Sequence, residues 1–342
     1  MEWREFIMKL AITGATGFLG QRACEYLQEG DHHVIGLGRN NRKGLELTAA
    51  GIPFVQADLS DVEELTRAFK GVEVVIHSAA KSEPWGQYKD FYQSNVIGTQ
   101  NVLVAAKKAN VKRIIHISTP SLYFRYNSRH FVREDEPIPK KFVNAYAETK
   151  FLAEGHVQSA VRQGVEAIIL RPRALFGPRD TTIIPRLIEL NGQRGFPLPN
   201  KGKTLVDLTY TDNVVRAIEL ALTAPEQCIG EVYNITNGEP VYIKVALQQL
   251  FTALHMPMNS KPIPYSILYC LAAILEGGHK VFIPDKEPIL TRYSASVLGK
   301  NQTLSIEKAR KDLGYAPVIS IQEGIERYAT WWHEQNKKCE GI

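Results

Sequence analysis

The sequence predicts an α/β protein built on a doubly wound parallel sheet, with a smaller and more irregular lobe drawn mainly from its second half. Three observations carry this. Apolar runs of strand length alternate with helical patterns through the first half of the chain. Those runs are near-continuous Val, Ile and Leu, as strands buried on both faces read. The connections are short, and β–α–β alternation with short connections implies parallel pairing through right-handed crossovers.

The elements follow in order. KLAITGA is the first strand, and GFLGQRACEYLQEG is a helix closed by Gly30. HHVIGLG and FVQAD are the second and third strands. DVEELTRAFKG is a helix with Gly71 after it, where a left-handed cap is expected. VEVVIHSAA is a strand, FYQSNVIGTQNVLVAAKKAN a long helix, and KRIIHIST the next strand. NAYAETKFLAEGHVQSAVRQG is again a helix, followed by the strand VEAIILRPRAL. After Gly177 the pattern loosens as Pro and Gly become frequent. Helices return at TDNVVRAIELAL, IKVALQQLFTAL, SILYCLAAILEG and IQEGIERYATWWHEQ. We read residues 1–177 as a dinucleotide-binding domain and 178–342 as a substrate lobe with segments returning to pack on the sheet.

Composition bounds the function. The 342 residues carry 41 Lys and Arg against 36 Asp and Glu, a net +5; 44% are hydrophobic and 23% charged. These proportions exclude collagen, a disordered tail and a disulfide mini-scaffold. A surplus of +5 on a chain this long gives no argument for nucleic acid, although it suits an anionic ligand. Cys24, Cys228, Cys270 and Cys339 are scattered, with no metal-ligand spacing, and read as free thiols in a reducing, cytoplasmic compartment. The N-terminus does not read as a signal peptide. The longest apolar stretch, Tyr265 to Leu275, is well short of the ~20 residues of a membrane span.

Two motifs carry chemistry. Gly14, Gly17 and Gly20 in TGATGFLG follow the first strand and open the first helix. Glycines there let the backbone turn tightly and approach a pyrophosphate, which rests on unpaired amides at the helix N-terminus. The second strand ends in Gly38-Arg39-Asn40, with Arg42 and Lys43 following and no acidic residue in the stretch. An acidic residue at this place would bind ribose hydroxyls, whereas a basic one accommodates a 2′-phosphate, so the cofactor expected is NADP(H) in preference to NAD(H). Asp58 is placed either to bond the adenine or to cap the helix after it. The second motif is Tyr146 and Lys150, four apart on one face of a helix. A phenol of pKa about 10 is too weak an acid–base group at neutral pH unless a nearby cation stabilises phenolate, and Lys150 is the candidate cation.

The chain resembles the extended short-chain dehydrogenases/reductases. TGATGFLG, Asp58, HSAA at 77–80, NVIGTQNVL at 95–103, HIST at 116–119, the Tyr146/Lys150 pair and RPRALFGP at 171–178 fall in that family's order from Met8 onward. The resemblance implies a Rossmann-type fold and a Tyr–Lys–Thr mechanism. Thr119 matches the catalytic Ser/Thr, with Ser118 and Ser121 as alternatives. Thr16, Phe18, Leu19, Leu59, Ala79 and Ala80 join the glycines at the cofactor, Asn95 matches an Asn that is often structural, and Pro172 and Arg173 fall where the chain passes the nicotinamide. It implies no metal, and a homodimer formed through the helices at 88–109 and 144–163. Residues 1–7 precede the family's usual start.

Within the family two branches compete. Nucleotide-sugar epimerases and dehydratases usually carry an Arg where this chain has Val206. YTDNVVRAIELAL and the segment SILYCLAAILEGGHKVFIPDKEPILTRY resemble the branch of 3β-hydroxysteroid dehydrogenases and 2-alkyl-3-oxoalkanoate reductases. The expected reaction is therefore ketone–alcohol interconversion on a hydrophobic 3-oxo acid or steroid. Tyr265, Ile267, Leu268, Leu271, Leu275 and Phe282 would wall the substrate. Plain core and shallow membrane contact are the competing readings of that helix, and it lacks the basic face that membrane contact requires. The alternatives for the whole chain are an epimerase that retains its cofactor and a non-catalytic redox sensor. The sensor class commonly loses the Tyr or the Lys, and both are present here.

Overall fold

The computed structural model describes residues 7–193, 195–283 and 285–340. Most of the N-terminal extension expected at 1–7, and the side chain of Cys339, lie outside the described residues. Cys24, Cys228 and Cys270 are free thiols.

Seven parallel strands form the main sheet: β1 (Lys9–Thr13), β2 (His33–Gly38), β3 (Phe54–Gln56), β4 (Val74–His77), β5 (Arg113–Ile117), β6 (Glu166–Pro172) and β7 (Val232–Ile235). Their order is β7-β6-β5-β4-β1-β2-β3. The order reverses between β4 and β1, so a crevice opens beyond the carboxyl ends of those strands, where ligands bind in open α/β sheets.

The strands are apolar on both faces because both are covered. Leu10 and Ile12 of β1, with Ile168 and Leu170 of β6, pack under α1 (Phe18–Glu29). Ala11, Ala167 and Ile169 turn to the opposite face. Between α1 and that face the chain adds α2 (Asn41–Ala49), where no helix was expected, and α3 (Val62–Ala68). The second face is closed by α3 together with α4, the long helix over 88–108, and α5 (Ala145–Arg162). Residues Tyr92–Ile97 inside α4 are π-helical, which the 3.6-residue pattern does not reveal.

After β6 the chain alternates between lobes. It forms α6 (Ile184–Gln193) in the second lobe, then α7 (Thr211–Leu222), which returns to pack beside α1 on the main sheet. Strand β7 then joins the edge of that sheet next to β6, with Val232 opposite Ile169. Helices α8 (Ile243–Ala253), α9 (Tyr265–Phe282) and α10 (Arg292–Gly299) build the second lobe. Helix α11 (Glu307–Leu313) goes back to the first core, and α12 (Ile321–Glu340) closes the second around Phe176, Phe196, Phe251 and Tyr328. A four-stranded sheet orders Val241–Tyr242, Leu205–Val206, Gln302–Leu304 and Arg129–Val132, so a first-half segment also crosses over.

Candidate functional site

The glycine loop is tight where it must be. Gly14 has φ +72°, and a Cβ there would stand 2.8 Å from the Ala79 backbone. A Cβ on Gly20 would lie 2.2 Å from the Gly14 carbonyl oxygen. Gly17 closes the turn by donating to that same carbonyl at 2.9 Å. No side chain caps α1, so its first amides remain open to an anion. Thr16, Phe18 and Leu19 lie on this turn and Ala79 and Ala80 on the facing loop. The facing loop is fixed by Ser78 Oγ donating to the Thr13 carbonyl at 2.7 Å. A cradle that a Cβ would fill, at an uncapped helix terminus, fits the pyrophosphate of a dinucleotide.

At the far side of the crevice Arg39 is exposed after β2, and its charge helps hold the Asp58 carboxyl below its ordinary pKa. The larger cause is the Ser60 amide, which donates to Asp58 Oδ1 at 2.8 Å. Asp58 does not cap α3; Asp61 does, accepting from Glu64 N at 2.9 Å. Leu59 packs against Gly98 of α4, and its carbonyl accepts from Asn101. Asn95 is buried in the π-helical stretch, where it accepts from Lys81 N at 2.8 Å and donates to Thr149 Oγ1 at 3.0 Å. It clamps the loop after β4 to α5.

Tyr146 and Thr119 meet at the carboxyl end of β5. The Thr119 hydroxyl hydrogen-bonds the Tyr146 phenol, and this bond opposes the burial that pushes the phenol up to about 12. Thr119 also donates to Ser121 Oγ at 3.1 Å, and Ser121 Oγ lies 3.5 Å from the Tyr293 hydroxyl. The Ser118 hydroxyl is buried without a partner.

Lys150 stands one turn after Tyr146 on α5 and is buried. Its ammonium donates to the Ile117 carbonyl at 2.7 Å and to His116 Nε2 at 3.2 Å. Burial lowers its pKa to about 8, against the raising effect of Glu154. His116 and His77 are buried neighbours with pKa values far below the imidazole norm, through burial first and Lys150 second. Both are therefore neutral, so His116 accepts from the ammonium.

Sequence reasoning missed the aromatic side of the site. Phe124 packs edge-on against Tyr293 at 4.8 Å and against Tyr126 at 5.5 Å, and Tyr126 meets Tyr269 at 5.8 Å. Of the six residues expected to wall the substrate, Leu268 is buried and Tyr265 half-buried, while Ile267, Leu271, Leu275 and Phe282 are exposed on the outside of α9. No helix among the described residues is long and apolar enough to cross a membrane. No cluster of three potential metal ligands occurs among them either.

The chain has clear relatives. The model of the NAD dependent epimerase/dehydratase family matches residues 10–236. A 2-alkyl-3-oxoalkanoate reductase of Stenotrophomonas maltophilia is 37% identical, over 94% of this chain and 98% of that protein. The sterol-4-alpha-carboxylate 3-dehydrogenase, decarboxylating, of Mus musculus is 32% identical, over 96% of this chain and 92% of that protein. Among solved structures, the UDP-glucuronic acid 4-epimerase of Bacillus cereus in complex with NAD superposes with a TM-score of 0.76 at 25% identity, covering 96% of this chain and 99% of its own. By its sheet, its glycine cradle and these matches, the chain belongs to the NAD-dependent epimerase/dehydratase family, the extended short-chain dehydrogenases/reductases.

Proposed function

We propose that the protein is an NADP(H)-dependent oxidoreductase that interconverts a ketone and a secondary alcohol on a hydrophobic substrate of the 3-oxo acid or 3-oxo/3β-hydroxysteroid type. The observation that carries this reading is the Thr119–Tyr146 hydrogen-bonded pair at the sheet's carboxyl edge, across the crevice from the glycine cradle. The reductase and dehydrogenase among the relatives support it, since both names describe ketone–alcohol interconversion at C3, next to a carboxylate-bearing carbon.

When bound, the nicotinamide supplies or accepts the hydride. Tyr146 holds the proton that the substrate oxygen gains. A phenol pushed up to about 12 by burial holds its proton across physiological pH, and releasing it to the substrate oxygen requires the cationic charge of Lys150 and of the nicotinamide ring to stabilise the phenolate. Thr119 orients the carbonyl by turning its single O–H from Ser121 to the substrate oxygen, to which the Tyr146 phenol also donates. Lys150, anchored on the Ile117 carbonyl and His116, contributes positive charge beneath the site. The pocket's aromatic side, from Phe124 to Tyr269, receives the apolar part of the substrate. The reading places the enzyme in the cytoplasm, as a homodimer. The exposed Tyr88, Tyr92 and Val104 of α4 and Phe151 of α5 supply an apolar face for a four-helix contact.

An epimerase acting on a nucleotide sugar is the second reading, favoured by the solved structures. Against it stands Val206, buried where such enzymes usually place an Arg. The test follows NADPH oxidation at 340 nm with 3-oxo acid, 3-oxosteroid and sugar-nucleotide substrates. Tyr146→Phe should lower kcat by ~10²–10⁴-fold while leaving NADPH binding nearly intact. Unchanged turnover refutes the assignment.

A further inference from the structure

Arg173 is a half-buried cation whose Nε lies out of reach of solvent. Its Nε has no acceptor, and among the described residues the guanidinium forms no ion pair. Asp207 acts on it only through space, and one oxygen of that carboxylate is itself unpartnered. Burial pushes the Asp207 carboxyl up to about 6, against the lowering effects of the Leu304 amide and of Arg173, and its bonded oxygen is taken by Leu304 N rather than by the guanidinium. The contrast with Arg171, two residues earlier, is instructive. Arg171 lies deeper and is fully engaged by Glu154 and the Tyr123 hydroxyl. A guanidinium taken out of water without a carboxylate is costly, and such groups are retained where a ligand completes them.

The fold places Arg173 beside the reacting centre. Ile117 of β5 pairs with Leu170 of β6, and Ser118 N donates to the Leu170 carbonyl at 2.7 Å. Continuing that register sets Thr119 beside Pro172 on the adjacent strand, about 5 Å away laterally, with Arg173 the next residue. Tyr293 links the two halves electrostatically, since its phenol acts on both Tyr146 and Arg173. In a 3-oxo acid the carboxylate is one carbon removed from the carbonyl carbon. A substrate whose ketone oxygen meets Thr119 and Tyr146 therefore carries its carboxylate only two bonds from the reacting carbon, toward the strand ends from which Arg173 extends.

We propose that the Arg173 side chain receives the substrate carboxylate, and that the enzyme is accordingly selective for 3-oxo and 3-hydroxy acids over neutral ketones and alcohols. This rests on the oxidoreductase reading above and narrows its substrate class. The expected passage of the Pro172–Arg173 backbone beside the nicotinamide is unaffected, since the assignment concerns the guanidinium. Arg173 is a binding and specificity residue here, since planar two-pronged recognition of a carboxylate is what a guanidinium provides.

The test uses the full chain with saturating NADP⁺ and compares oxidation of a 2-alkyl-3-hydroxy acid with that of its methyl ester. The acid should exceed the ester in kcat/KM by ~100-fold or more, the worth of a buried charge-assisted pair. Arg173→Gln should collapse that ratio to within about tenfold through the KM of the acid, and Arg173→Lys should restore part of it. Thermal melting and NADP⁺ titration of each variant establish that the change is not one of folding or cofactor capture. Equal turnover of acid and ester by the natural enzyme overturns the proposal. So does an Arg173→Gln variant that loses both substrates equally or loses NADP⁺ affinity in the same proportion. If neither compound is oxidised, the oxidoreductase reading fails on its own. Calorimetric titration of the 3-hydroxy acid into the NADP⁺ complex then decides the anchor, and binding no tighter than that of the ester overturns it.

Discussion

Glu154→Gln is the substitution whose consequences can be worked furthest. Glu154 lies one helical turn beyond Lys150 on α5 and pairs with Arg171 of β6, whose Nε donates to Oε1 at 2.8 Å. Both side chains are only 6% exposed. Tyr123 completes the cluster, its hydroxyl accepting from Arg171 and its ring lying 4.8 Å from the guanidinium. Removing the charge while keeping the shape leaves Arg171 buried and unneutralised, which costs about 3–5 kcal/mol. The amide retains one acceptor, so about 3 kcal/mol is expected. At roughly 2–4 °C per kcal/mol for a large domain, the melting midpoint should fall by about 6–12 °C. Urea denaturation followed by circular dichroism measures the loss. The double variant Glu154→Gln/Arg171→Met, which removes both charges, should recover much of it. A loss below about 1 kcal/mol, or a double variant that loses the sum of the two single changes, refutes the reasoning.

Two further outcomes are expected besides those for Tyr146 and Arg173. Arg39→Glu should weaken NADPH by about 10- to 100-fold relative to NADH, the scale of one or two bonds to a charged phosphate, measured as the ratio of their KM values; an unchanged ratio removes Arg39 from cofactor choice. The reduction rate should fall above pH 8, because the Lys150 ammonium, lowered to about 8 chiefly by burial, loses its proton there. A Lys150→Arg variant, charged at every accessible pH, should lack that decline, and a decline of the same position in the variant would assign it to another group.

Much of this was legible in the chain. Buried parallel strands announce themselves as unbroken runs such as LAIT and AIILRP, and the glycine triplet marks the loop because only backbone fits against Ala79. Amphipathic helices as long as α5 and α8 show their period plainly. What escaped was short or relational. Strands of two residues, such as Leu205–Val206, have no measurable alternation. The π-helical stretch in α4 differs from α-helix by hydrogen-bond register, which composition does not encode. Asp61 rather than Asp58 caps α3, because two acidic residues three apart offer the same local signal. The anchoring of Lys150 on His116 joins residues 34 positions apart, and local patterning cannot name such partners. Nor does it reveal that Tyr293, far along the chain, faces Ser121.

The late return of β7 to the main sheet has a consequence for biosynthesis. β6 carries Ala167, Ile168, Ile169 and Leu170, all buried in the finished protein, and its outer edge is covered only by β7. About 60 residues separate the two strands. At a ribosomal rate of ~5–20 residues per second, that edge emerges roughly 3–12 s before its cover exists. Through that interval the nascent chain presents a bare apolar strand edge, the feature that templates intermolecular pairing. Cutting the gene after Gly177 would make that transient state permanent, so the cofactor half should be insoluble when expressed without the segments that follow it.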